Sequence, residues 1–195
     1  FHSQGNISEA AKLYQYFINQ GFKDHRIFSN FGTILENLGH LKEAELLYRK
    51  AIEINPDFVE AYLNLGNILK DLRNLKEAEL FYRKAIEIKP DFAEVHSNLG
   101  IILKDLGKLK EAELSYRKAI EIKPDFAEPH SNLGNILKDL GKLKEAELLY
   151  RKAIDINPDY AIAYSNLGTT LIDTGRLLEA ELSCRKAIDI KPDYA

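Results

Sequence analysis

The chain has 195 residues, a formal charge of −3 from 27 basic and 30 acidic side chains, one cysteine and no methionine. The near balance of charge excludes the basic surplus of a nucleic-acid binder, and a single cysteine excludes an internal disulfide framework and a thiolate metal cluster. No apolar run approaches the roughly 20 residues of a membrane helix, and with no Met even at position 1 the chain reads as a piece of a longer protein.

From the N-terminus, the segment around Ala10 and Tyr14 predicts one helix, a half-unit over residues 1–24. From His25 on, four residue series step by 34. They are Gly32, Gly66, Gly100, Gly134 and Gly168; Ala44, Ala78, Ala112, Ala146 and Ala180; Ala51, Ala85, Ala119, Ala153 and Ala187; and Pro56, Pro90, Pro124, Pro158 and Pro192. Agreement of four series on one period predicts stacked units at 25–58, 59–92, 93–126, 127–160 and 161–195. Each unit reads as two helices. In the third, His96, Leu99, Gly100, Leu103 and Leu106 share one face, and Leu109, Ala112, Tyr116, Ala119 and Ile120 share the other helix's face.

Gly107 predicts a positive-φ end to the first helix; in the second unit Arg73 or Asn74 must serve instead. Asp57 with Glu60, Asp91 with Glu94, and Asp125 with Glu128 predict capping boxes, while Asp159 is followed by Ile162 and has at most half of one. Pro129 falls in a first helical turn, where its missing N–H is harmless. On the second helices, Glu45 and Arg49, Glu79 and Arg83, Glu113 and Arg117, Glu147 and Arg151, and Glu181 and Arg185 predict i,i+4 ion pairs on a solvated face. One such hairpin is too small to bury a core by itself, so each copy must complete its neighbour's.

The order Tyr62, Leu65-Gly66, Leu69, Ala78, Tyr82, Ala85 and Pro90, matched in the other units, resembles the tetratricopeptide repeat. The resemblance implies an all-α, right-handed superhelical solenoid whose first helices line a concave groove. Phe31, Arg73 and Cys184 depart from the pattern; Cys184 stands where four units have Tyr and is read as a small buried filler. The family usually closes with a solvating helix, and none follows Ala195, so weak end-to-end association is a further expectation.

Asn30, Asn64, Asn98, Asn132 and Asn166 precede each Leu/Phe-Gly pair. This column resembles that of the superhelical arrays of O-linked N-acetylglucosamine transferases, and the resemblance implies a grip on the backbone of an extended polypeptide. A carboxamide supplies both a donor and an acceptor, so it matches a peptide unit of any sequence. The alternative is that these side chains bond within or between helices of the array. Asn67 and Asn135, at the position after the Gly (Thr33, Ile101 and Thr169 elsewhere), and Lys70, Lys104 and Lys138, each followed by Asp, are the remaining candidate groove residues. Their mixed charge suits a polar or mixed-charge ligand. A terminal-carboxylate clamp of the chaperone-binding type is not expected, because Ser29, Leu63, Ser97, Ser131 and Ser165 stand beside the Asn column and Glu60, Glu94 and Glu128 would repel the ligand.

His96 and His130 occupy a slot that holds Phe28, Tyr62 and Tyr164 in other units, and packing is their expected role. No phosphate loop, nucleophile elbow or zinc spacing is present. The sequence therefore predicts a non-catalytic protein-interaction scaffold that needs no cofactor or metal, binds protein or peptide rather than nucleic acid, and resides in the cytoplasm. Two alternatives stay open: the recruiting arm of a larger transferase, and a module that stacks end to end.

Overall fold

The computed structural model describes residues 7–192. Among them are eleven α-helices and no strand. The half-unit expected at 1–24 and the last unit, expected to end at 195, therefore lie partly outside the described residues, as does the stretch around Ala195. The chain divides into two compact units, residues 1–91 and 92–195. The first holds α1 (Ile7–Asn19), α2 (His25–Asn37), α3 (Leu41–Ile54), α4 (Val59–Asp71) and α5 (Leu75–Ile88). The second holds α6 (Ala93–Asp105), α7 (Leu109–Ile122), α8 (Ala127–Asp139), α9 (Leu143–Ile156), α10 (Ala161–Asp173) and α11 (Leu177–Ile190). None of these helices is long and apolar enough to cross a membrane.

In the first unit α2 pairs with α3 and α4 with α5, and α4 also packs on α3. Alanines at the crossings, Ala44, Ala51, Ala78 and Ala85, are fully buried and let the helix axes come close. Tyr14 of α1 stacks on Phe31 with ring centroids 6.5 Å apart. In the second unit the pairs are α6 with α7, α8 with α9 and α10 with α11, and each following first helix packs on the preceding second helix. Tyr116 and Tyr150 are buried there, as are Leu99, Leu103, Leu133 and Leu137. His96 and His130 are buried as well. Leu109 is not: it stands at the start of α7, 36% exposed, because the helix has not yet reached its partner.

In the hairpins from α2/α3 to α8/α9 a first-helix glycine lies directly against a second-helix tyrosine. A Cβ on Gly66 would lie 2.5 Å from the Tyr82 ring, and one on Gly134 would lie 2.7 Å from the Tyr150 ring. In the last hairpin Gly168 faces Cys184 instead. Cys184 is half-buried rather than buried as expected.

The turns follow the sequence at one end of each first helix and depart from it at the other. After α6, Gly107 takes φ 75°, and the amides of Gly107 and Lys108 return to Lys104 and Leu103 at 2.9 and 2.8 Å, a Schellman closure. After α4 the same role falls to Arg73, at φ 62°. The expected capping boxes do not form. Phe58, Phe92, Phe126 and Tyr160 occupy the N-cap positions with no side-chain cap, and Asp57, Asp91, Asp125 and Asp159 each sit one residue earlier. The physical reason is visible at Phe58. Its ring packs on the cluster of Phe28, Ala51 and Ala61 and lies 4.6 Å from the His25 ring. Half-burying such a ring contributes roughly 1–2 kcal/mol, at least as much as the ~1 kcal/mol of a capping hydrogen bond.

All five i,i+4 ion pairs form, with N···O distances of 2.7–2.9 Å. The structure adds bridges between second helices. Arg49 also reaches Glu77 at 2.6 Å, and Arg151 reaches Glu179 at 3.3 Å. Arg176 joins Glu147 at 2.7 Å. Partial burial pushes the Glu147 carboxyl up, but the hydrogen bonds from Arg176 and Arg151 outweigh it and hold the group below its ordinary value.

Two predictions follow from this packing. Ala would gain up to about 1 kcal/mol of helix propensity over Gly134, but overpacking the immobile Tyr150 ring costs roughly 1–3 kcal/mol, so Gly134→Ala is expected to be net destabilising in urea unfolding. For Glu147, a depressed folded pKa means a contribution present above the ordinary value of 4.5 and lost as pH falls below it. Thermal melts of Glu147→Gln and the parent should differ most at neutral pH and converge on acidification; a cost independent of pH would count against the Arg176–Glu147–Arg151 cluster.

Candidate functional site

On each first helix, residues at i, i+4, i+7 and i+11 fall within an arc of about 60° at 100° per residue. In the first unit these stripes are Arg26, Asn30, Thr33, Asn37 on α2 and Glu60, Asn64, Asn67, Asp71 on α4. In the second they are Glu94, Asn98, Ile101, Asp105 on α6; Glu128, Asn132, Asn135, Asp139 on α8; and Ile162, Asn166, Thr169, Asp173 on α10. Every one of these residues is exposed or half-buried, although the Phe-Gly or Leu-Gly pair that follows each asparagine is buried. The asparagines preceding the Leu/Phe-Gly pairs stand in the middle of each stripe.

The structure places these asparagines differently from one another. Asn30 is exposed. Asn64 is half-buried. Asn166 donates to Ser131 Oγ on the neighbouring first helix at 3.5 Å. Asn98 is half-buried and engaged. Asn132 is half-buried and makes no hydrogen bond among the described residues.

The column after the glycine serves the hairpin itself. Tyr82 donates to Asn67 Oδ1 at 2.7 Å and Tyr150 to Asn135 Oδ1 at 2.8 Å. Tyr48 lies 3.1 Å from Thr33 Oγ1 and donates to Glu36 at 2.8 Å. Burial pushes the hydroxyl pKa of Tyr48, Tyr116 and Tyr150 above the ordinary 10. These phenols therefore remain donors at physiological pH. The sequence gives no period-34 sign of this role, since Thr33, Asn67, Ile101, Asn135 and Thr169 are unlike one another.

Of the lysines at the helix ends, Lys70 and Lys104 are half-buried without an ion pair among the described residues. Lys138 donates to Thr169 Oγ1 at 2.9 Å and lies 3.7 Å from Asp173. His130 Nε2 donates to the Pro124 carbonyl at 2.9 Å, and its buried Nδ1 has no partner. Among the described residues no three His, Cys, Asp or Glu side chains gather as metal ligands would.

If the tyrosine hydroxyl contributes to stability, removing it should matter only where it is paired. Tyr150→Phe, which strands the half-buried Asn135 Oδ1, is expected to cost about 1 kcal/mol. Tyr116→Phe should be close to neutral, because that hydroxyl makes no hydrogen bond among the described residues. Equal costs in denaturant unfolding would show that the bond to Asn135 contributes nothing.

Comparison with known proteins bears on the hairpins. Models of the TPR repeat match residues 32–72, 102–141 and 134–175, and models of the tetratricopeptide repeat match 59–92, 81–113 and 161–194. No curated protein matches the sequence. Among solved structures the chain is similar to YrrB, "a TPR protein with an unusual peptide-binding site", at 27% identity and a TM-score of 0.73, with 94% of each chain covered. It is similar to MamA at 24% identity and a TM-score of 0.74, over 86% of this chain and 92% of that one. A MamA structure from Desulfovibrio magneticus RS-1 matches at 16% identity and a TM-score of 0.76, over 87% and 96%. The MamA likenesses carry the fold alone. With the repeat models spread along most of its length and the Gly–Tyr hairpins behind them, this chain belongs to the tetratricopeptide repeat family.

Proposed function

We propose that the chain is a protein-interaction scaffold whose first-helix stripes hold an extended polypeptide through their asparagines. The observation that carries this reading is the partly accessible asparagine at one place on α6, α8 and α10, Asn98, Asn132 and Asn166, each followed by a buried Leu-Gly pair. A stripe needed only for solubility would not require a carboxamide at the same place in each helix. The likeness to YrrB, whose description names a peptide-binding site, supports the same reading.

The geometry suits a peptide. Packed helix axes lie about 8–10 Å apart, and an extended chain rises about 3.3 Å per residue. One asparagine then serves about every third residue. A segment of some six to nine residues would span α6, α8 and α10. Each backbone contact contributes about 1 kcal/mol net, against 1–2 kcal/mol per residue ordered. Affinity should therefore be micromolar or weaker unless side chains add to it.

The test is capture of peptides from a displayed random library by the chain and by Asn98→Ala/Asn132→Ala, after both are shown to melt alike. Capture lost only by the double variant is expected. Equal capture by both would remove the asparagines from the binding role and leave them as links within the array.

A further inference from the structure

The two seams between first helices in residues 92–195 are built from equivalent residues and filled differently. On the α8/α10 seam, Asn166 donates to Ser131 Oγ at 3.5 Å, and Lys138 is engaged by Thr169 at 2.9 Å and Asp173 at 3.7 Å. Thirty-four residues earlier the same positions on the α6/α8 seam are Ser97, Asn132, Lys104, Asn135 and Asp139. Here the contacts are not made. Ser97 is 1% exposed and its Oγ has no partner. Asn132, Lys104 and Asp139 make no hydrogen bond or ion pair among the described residues. A buried hydroxyl without a partner is uncommon and costs free energy, and beside it stands a carboxamide with donor and acceptor to give.

The charge of this seam has a sign. Glu94, Asp105 and Asp139 are exposed along it, whereas the cation on the same seam, Lys104, is half-buried. Glu94 and Asp105 also make no ion pair among the described residues. Carboxylates within a Debye length of about 8–10 Å of a bound chain act on its charges.

We infer, building on the peptide reading above, that the α6/α8 seam takes an extended protein segment bearing Lys or Arg side chains. Asn132 turns one amide hydrogen to Ser97, as Asn166 does to Ser131. It presents the other hydrogen and its Oδ1 to a backbone C=O and N–H of the segment. The cationic side chains lie over Glu94, Asp105 and Asp139. Binding thus closes the seam that the free protein leaves open, and it gives a charge preference to a grip that asparagine alone would make indifferent to sequence.

The test uses three fluorescein-labelled ten-residue peptides, alternating Ser with Lys, with Gln or with Glu, in anisotropy titrations at 150 mM salt. The Ser/Lys peptide is expected to bind about tenfold more tightly than Ser/Gln, and Ser/Glu more weakly than either. Asp105→Asn/Asp139→Asn should abolish the Lys preference, whereas Glu121→Gln/Asp155→Asn, with the same change of charge on the second helices, should leave it. Asn132→Ala should weaken the Lys and Gln peptides by the same factor. Equal binding of all three peptides, lost on Asn132→Ala, would overturn the charge preference and leave peptide capture standing. Equal loss in the two charge variants would show attraction by net charge and also overturn it. No binding by any of the three would overturn both.

Discussion

The ring of a second-helix tyrosine lying against a first-helix glycine sets the geometry of the hairpins. At Gly66 and Gly134 there is no room for a methyl group beneath the ring, so the two helices can approach only where glycine stands. That approach buries Tyr82 and Tyr150 completely. The buried alanines at the crossings then follow from the same constraint, because any larger residue there would lift one helix off the other. Where Cys184 replaces the tyrosine, the hairpin persists with a smaller filler that stays half-buried.

Burying a tyrosine creates a second requirement, a partner for its hydroxyl. For Tyr82, Tyr150 and Tyr48 the structure meets it with Asn67, with Asn135, or with Thr33 and Glu36 together, whereas the Tyr116 hydroxyl makes no hydrogen bond among the described residues. The polar stripe of the first helix is therefore tied to the core on one side and open to solvent on the other. Asn166 shows the same double allegiance through its bond to Ser131. Structural and binding roles need not compete, since a carboxamide has two donor hydrogens and an acceptor oxygen. The difference between the seams in the second unit arises from this surplus: one seam satisfies itself, and the other leaves Ser97 Oγ and Asn132 unpaired among the described residues.

The second helices contribute differently. Their ion pairs are largely exposed and individually weak, but Arg49–Glu77 and Arg151–Glu179 link neighbouring hairpins within their units. A charge pattern that reads in sequence as a solvated surface thus also carries part of the coupling between repeats. The exposed leucines on these helices, such as Leu114 and Leu148, show that the apolar period of the sequence is wider than the buried face.

The sequence by itself determined the helices and their pairing, because the 34-residue period puts small residues at fixed places in every copy. It also determined where asparagine stands on the first helices. Only the tertiary structure decided what those asparagines touch. Asn132 and Asn166 have the same local sequence, Ser-Asn-Leu-Gly, yet Asn166 is bonded to Ser131 and Asn132 makes no hydrogen bond among the described residues. Likewise the Asp residues before the first helices look like caps in sequence. The junction between hairpins gives that position to Phe58, Phe92, Phe126 and Tyr160 instead. The physical reason is the same in both cases. Helix periodicity is local and is written in every copy, whereas a hydrogen bond or a buried ring at a seam depends on a neighbouring helix that lies up to about 34 residues away.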